Sequence, residues 1–171
     1  MNKSRVRGWT DARFFDFLRS ALRAAWVNYP NRYYALNAAS RKSQLTDKRT
    51  KKEYQCKECL SWHKQKGVQV DHITPVGTLR SFGDLAGFAS RLFCKIEGLR
   101  VLCKPCHSII TYMSSSGLSF KEAKMTKEVI RLAGQPIPQQ KQQLREGGYN
   151  ETQISNDEKR KACFMEVLSG K

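Results

Sequence analysis

The chain has 171 residues, and 31 Lys and Arg against 15 Asp and Glu give it a formal charge of +16. Hydrophobic residues make up 40%, which supports a core and excludes wholesale disorder, and no apolar run approaches the roughly 20 residues of a membrane span. Charge of this size draws polyanions, and nucleic acid before an acidic membrane surface. Phosphates release counterions to Lys and Arg, whereas a membrane binder would want a basic amphipathic helix or a lipidation signal. The charge is spread along the chain rather than held in one tail, which suits a folded nucleic-acid binder.

The basic start MNKSRVRGW lacks the apolar stretch of a secretory signal. The expectation is a soluble intracellular protein with reduced thiols. Thr10 and Asp11 open a helix in which Phe14, Leu18, Ala21, Leu22, Ala25 and Trp26 recur at helical spacing beside Arg13, Arg19 and Arg23. Tyr29-Pro30 ends it, because proline lacks a donor and restricts its predecessor. A second short helix is predicted over 31–40. The stretch SRKSQLTDKRTKKEY reads as a mobile basic linker, an arm over phosphates rather than a merely solvated run.

Beyond Tyr54 the apolar period shortens. Val68 and Val70 alternate with polar neighbours, and Gly67 suits a hairpin turn. Ser81 and Asp84 bracket a helix start, with Leu85, Phe88 and Leu92 on one face. Leu99 and Val101 read as a second strand, and Pro105 suits the first turn of a helix running to Met113. Residues 114–117 read as a loop. Ser119 and Glu122 form a capping pattern for a helix ending near Gly134. QPIPQQKQQ reads as an extended connector, and Ser155 with Glu158 as the cap of a last helix.

Four of the six cysteines form two pairs of equal spacing, Cys56-Lys-Glu-Cys59 and Cys103-Lys-Pro-Cys106. Two intervening residues let a tight turn aim both sulfurs at one point, and two such turns make the tetrahedral thiolate cage that Zn²⁺ prefers. The 43 residues between Cys59 and Cys103 suit a metal that pins two segments of one larger fold. Cys94 and Cys163 read as small buried hydrophobes, and His63 as a surface residue rather than a fifth ligand. The chemistry of zinc deaminases is excluded, because no His-x-Glu occurs.

The zinc pairs give meaning to VDHITP, residues 70–75. His107 directly follows Cys106, at the start of a helix, and Cys56 and Cys59 tether the strand that carries Asp71-His72. Metal binding is expected to draw Asp71, His72 and His107 together. An acid and two imidazoles beside a basic surface suit phosphodiester hydrolysis, with a carboxylate and one imidazole holding a divalent cation and the other imidazole activating water. An isolated Asp-His would read as a turn cap beside a core histidine.

DH at a strand end followed by GLRVLCKPCH, between two CxxC pairs, resembles the HNH endonucleases, also called His-Me finger or ββα-metal nucleases. The zinc-stapled branch familiar among phage-encoded and homing enzymes is the most similar, and the resemblance covers residues 54–113. It implies an α+β fold, a small ββα-metal core with a four-cysteine zinc site, flanked by N- and C-terminal helices. The organisation it implies is a basic helical region over 1–53, a nuclease core over 54–113 with a helical insertion at 81–94, and a C-terminal helical region over 114–171 with its Pro/Gln-rich connector.

By the same resemblance His72 is the general base. Asp71 and His107 are ligands of a catalytic Mg²⁺ or Mn²⁺, and Cys56, Cys59, Cys103 and Cys106 hold a structural zinc. The implied partner is double-stranded DNA, cut by a monomer in the cytoplasm, the host's if the enzyme is phage-encoded. The family's usual Asn, nine residues before the last histidine, is Gly98 here, which accepts the turn but offers no side-chain hydrogen bond. Ile110 stands where Lys is common. Two other readings compete. One is a catalytically weak or inactive zinc-stapled DNA-binding protein. The other is an RNA-binding factor that stacks bases on Tyr33, Tyr34, Tyr54 and Trp62.

Overall fold

The computed structural model describes residues 6–44 and 50–170. In chain order it contains helices α1 (Asp11–Val27) and α2 (Pro30–Ala38), then strands β1 (Ser40–Lys42), β2 (Lys52–Gln55), β3 (Trp62–Lys64) and β4 (Val68–His72). Helix α3 (Leu85–Leu92), strand β5 (Leu99–Cys103) and helices α4 (Lys104–Ser116), α5 (Phe120–Ala133), α6 (Ile137–Glu146) and α7 (Asp157–Ser169) follow. The fold is therefore mixed α and β with a four-cysteine cluster. Two compact units form, Met1–His107 and Ser108–Lys171. No helix among the described residues is long and apolar enough to cross a membrane.

In the first unit, Thr10 caps α1 by accepting from the Arg13 N–H at 3.2 Å, and Asp11 adds negative charge at the helix's positive end. Pro30 opens α2, where its missing donor costs nothing. Strands β4 and β5 pair antiparallel, with Val70 opposite Val101, Asp71 opposite Arg100 and His72 opposite Leu99. Side chains alternate across a strand. Val68, Val70, Leu99 and Val101 therefore share one face and pack on Ala35 of α2 and Tyr54 of β2. Gln69, Asp71 and Arg100 occupy the opposite face. Phe88 and Leu92 of α3 are 0% and 1% exposed and pack with Phe15, Val76 and Leu79. Each such burial stabilises by roughly 1.5–3 kcal/mol, which fixes the insertion between β4 and β5. Trp26 of α1 touches both clusters.

The supposed basic linker is partly a sheet. β1, β2 and β3 form an antiparallel three-stranded sheet in that order, and residues 45–49 of the expected arm lie outside the described residues. The sheet forms because Glu53 is buried and satisfied. The Arg41 guanidinium donates to it at 3.2 and 3.3 Å, and the Gln44 N–H at 3.1 Å. Arg41 also lies over Trp62, 3.9 Å from the ring centroid. Gly67 is not a hairpin tip: it closes the 3-10 turn Gln65–Gly67 that leads from one sheet into the other.

The second unit corrects three further expectations. QPIPQQKQQ is not extended but forms most of α6, because Pro136 precedes the helix and Pro138 lies in its first turn, where proline is tolerated. The residues read as a loop over 114–117 are helical through Ser116. The cap of α7 is Asn156, whose side chain accepts from the Lys159 N–H at 2.9 Å, and not Ser155. The Ser119–Glu122 capping box and the end of α5 at Gly134 are as expected. Buried Gln140 donates to the carbonyls of Ala133 and Gln135 and accepts from buried Arg160 at 2.8 Å. A composition-based view of a Gln-rich segment misses such a role.

Gly98 has a steric reason. A Cβ there would stand 2.9 Å from the Cys94 sulfur and 3.3 Å from its Cβ, while the Gly98 carbonyl accepts from the Ile73 N–H at 2.9 Å. A side chain at position 98 would therefore require Cys94 to move. We expect Gly98→Ala to cost about 1–3 kcal/mol in urea denaturation. Adding Cys94→Ala should recover much of that loss, and equal losses with and without Cys94 would contradict the contact.

Candidate metal centre and adjoining acid–imidazole site

Each cysteine pair sits in a turn that the backbone enforces. After β2, the Cys56 N–H donates to the Ser61 carbonyl and the Leu60 N–H to the Cys56 carbonyl, at 3.0 and 2.9 Å. Leu60 closes this knuckle in the left-handed region, with φ 59°. The Lys57 N–H donates to the Val101 carbonyl at 2.8 Å and so ties the knuckle to the free edge of β5. Cys103 ends β5 and Cys106 lies in the first turn of α4.

The four sulfurs, Cys56, Cys59, Cys103 and Cys106, all lie within 4.8 Å of one another, and those of Cys59 and Cys103 are 3.9 Å apart. A tetrahedral ion with Zn–S bonds of about 2.3 Å requires sulfurs about 3.8 Å apart, so the donor set fits a bound metal such as zinc. Three of these cysteines are buried and Cys59 is exposed. Burial, then the neighbouring Cys103 and Cys56 thiols, pushes the Cys106 thiol well up, and burial does the same to Cys103. Burial also acts upward on Cys59, but hydrogen bonding to His63 and Ser61 outweighs it and brings that thiol down to about 6. Mutual repulsion of this kind is what a divalent cation removes, since it deprotonates the thiols it binds. His63 is half-buried on β3 rather than a surface residue, with Nε2 3.9 Å from the Cys59 sulfur. Cys163 is buried as expected, whereas Cys94 is only half-buried, against the β4–β5 core.

Beside the cluster, the β4–β5 ribbon and the first turn of α4 place Asp71 and His107 together. Asp71 Oδ1 lies 3.4 Å from His107 Nε2. Asp71 Oδ2 accepts from Arg100 Nε, with Nη2 also 3.0 Å away. Arg100 is a site residue that the sequence reading missed, and the cross-strand register Asp71–Arg100 was the signal for it.

His72 points to the other face of the strand. Its Nε2 is 2.9 Å from the Leu92 carbonyl, and its ring lies 4.8 Å from that of Trp26, tilted by 38°. A carbonyl only accepts, so Nε2 carries the hydrogen and Nδ1 keeps the lone pair of the neutral ring. The next two carbonyls are also held: the Tyr29 hydroxyl is 3.0 Å from Phe93 O and 3.1 Å from Cys94 O, and Asn31 Nδ2 donates to Cys94 O and to Tyr29 Oη. Of the three groups expected to gather, the structure brings Asp71 and His107 together, while His72 turns to the opposite face of β4, against Trp26 and the Leu92 carbonyl.

No protein-family model, curated protein or solved structure matches the chain.

Purified protein should carry about one zinc ion per chain by elemental analysis. Cys106→Ser should lose that ion and melt at lower temperature, while Cys163→Ala should keep it. Full metal content in Cys106→Ser would contradict the four-sulfur site.

Proposed function

We propose that the chain is a metal-dependent DNA endonuclease of the HNH, or His-Me finger, kind, whose ββα-metal core is β4, β5 and α4. The observation that carries this reading is the approach of Asp71 Oδ1 to His107 Nε2 at 3.4 Å, at the end of the strand that also carries His72. Adjacent ligands about 2.1 Å from an octahedral cation lie about 3.0 Å apart, so these two donors stand within a few tenths of an ångström of that spacing. Asp71 and His107 would hold Mg²⁺ or Mn²⁺ here. When bound, such an ion supplies Lewis-acid stabilisation to the phosphoryl oxygens and the leaving 3′ oxygen.

The protein's own groups do the rest. Arg100 fixes one Asp71 oxygen and leaves the other directed at His107. His72 is held by the Leu92 carbonyl with Nδ1 basic, and takes a proton from the water that attacks phosphorus. A phosphodiester seated across the strand end meets Asp71 and His107 on one side and His72 on the other. Tyr29 and Asn31 brace the segment beside Leu92, the service for which related enzymes use the Asn absent at Gly98.

Charge agrees with a nucleic-acid substrate. Residues 1–107 carry 21 Lys and Arg against 8 Asp and Glu, and residues 108–171 carry 10 against 7. The field is therefore concentrated in the unit that holds the site, where phosphates would be drawn. A second reading, a zinc-stapled DNA-binding protein without activity, is favoured by one feature: the Arg100 ion pair already neutralises Asp71.

Supercoiled plasmid with Mg²⁺ or Mn²⁺ separates the two. The wild type should nick or linearise it, and His72→Ala should lose about 10²–10⁴-fold in rate while keeping its zinc and DNA affinity. Cleavage by His72→Ala at the wild-type rate would refute the assignment of the base. No cleavage by the wild type in either metal would leave the second reading.

A further inference from the structure

We infer that Arg91 is a binding site for a backbone phosphate of the DNA strand, a role that rests on the chain's being a DNA binder. Arg91 lies in the last turn of α3, next to Leu92, whose carbonyl holds His72. Its Nε donates to the Val76 carbonyl at 2.8 Å, in the loop that leaves His72. That bond, together with the favourable place of a cation at a helix C-terminus, accounts for the side chain's course. It does not account for the two terminal nitrogens.

Arg91 is half-buried as a residue, and its guanidinium has no carboxylate partner among the described residues. Arg41 meets Glu53, Arg100 meets Asp71 and Arg160 approaches Asp157, whereas Arg32, also without a carboxylate among the described residues, lies over the Trp26 ring and donates to the Val27 carbonyl. A cation taken partly out of water without a counter-ion is costly, and a ligand oxyanion in the same geometry would offset that cost. The terminal nitrogens also lie in a notch between two glycines. A Cβ on Gly77 would stand 3.3 Å from Nη2, and one on Gly87 3.1 Å from Nη1. Gly77 has φ +83° and needs to be glycine for its backbone alone. Gly87 has no such need. It lies inside α3, where alanine is the better helix former, so its small size is explained by the space it leaves for the guanidinium. Such a fork, anchored through Nε with Nη1 and Nη2 left over, suits the bidentate geometry of a phosphate better than a mobile lysine would.

The test is binding of zinc-loaded protein to a short labelled DNA duplex, by fluorescence anisotropy over a potassium chloride series without added magnesium. Two variants are compared with the wild type. Arg91→Gln keeps a donor for Val76 and removes the charge. Gly87→Ala keeps Arg91 but crowds its terminal nitrogens. Arg91→Gln should reduce the slope of log affinity against log salt by about 0.9, the amount for one lost phosphate contact, and weaken binding about fivefold or more at fixed salt. Gly87→Ala should weaken binding while melting at the wild-type temperature or above, a pair of effects that a purely structural role for Arg91 would not produce. Wild-type affinity and slope in both variants would overturn the inference. So would Gly87→Ala alone binding as the wild type does, should Arg91→Gln fail to fold. Unchanged slopes with intact plasmid cleavage sink this inference alone, whereas a reduced slope with no cleavage sinks the nuclease reading and leaves Arg91 its phosphate.

Discussion

The convergence of four sulfurs from two distant segments fixes the geometry on which the remaining site depends. Four thiols within 4.8 Å of one another oppose one another electrostatically when they ionise, and burial adds to the penalty. A divalent ion bound there would turn that repulsion into attraction. One consequence is positional. Cys106 and His107 are consecutive, so a metal that fixes the first fixes the start of the helix that carries the second. The knuckle at Cys56–Cys59 is itself tied to the edge of β5 through Lys57 and Val101, so the clamp acts on the strand that faces β4 and on the helix that follows it.

Around this clamp the acid and the two imidazoles are held by unequal means. Asp71 is fixed by its ion pair with Arg100 and lies 3.4 Å from His107. His72 is fixed by a neutral hydrogen bond and by an aromatic face. The second arrangement depends on elements far away in sequence. Trp26 comes from α1, and the α1–α2 corner supplies Tyr29 and Asn31 to the carbonyls just beyond Leu92. The N-terminal helices are in this sense structural parts of the candidate site. Gly98 packs in the same region: the Cys94 sulfur occupies the space that a larger side chain would need.

The cluster and both strands of the ribbon were legible because their signals are local and redundant. Equal CxxC spacing, alternating valines and a capping serine each point to one geometry. What escaped the sequence was set by distant partners. The strands β1 and β2 looked like a mobile basic arm because the burial of Glu53 depends on Arg41 and on the Gln44 amide, a cross-strand arrangement that composition does not reveal. Helix α6 looked extended because proline counts as a breaker by composition but is harmless in a first turn. Arg100 could have been found by aligning the two strands through their valines, which sets it opposite Asp71. The hold of Leu92 on His72 is a backbone contact across 20 residues and leaves no mark on side-chain pattern.

The most direct test is anomalous diffraction from a crystal of the zinc-loaded protein soaked in Mn²⁺, recorded at the absorption edges of both metals. The account predicts a zinc peak at the centre of the Cys56, Cys59, Cys103 and Cys106 sulfurs and a separate manganese peak in contact with Asp71 Oδ1 and His107 Nε2. Sulfurs joined as disulfides, or manganese bound elsewhere while Arg100 alone occupies Asp71, would contradict it.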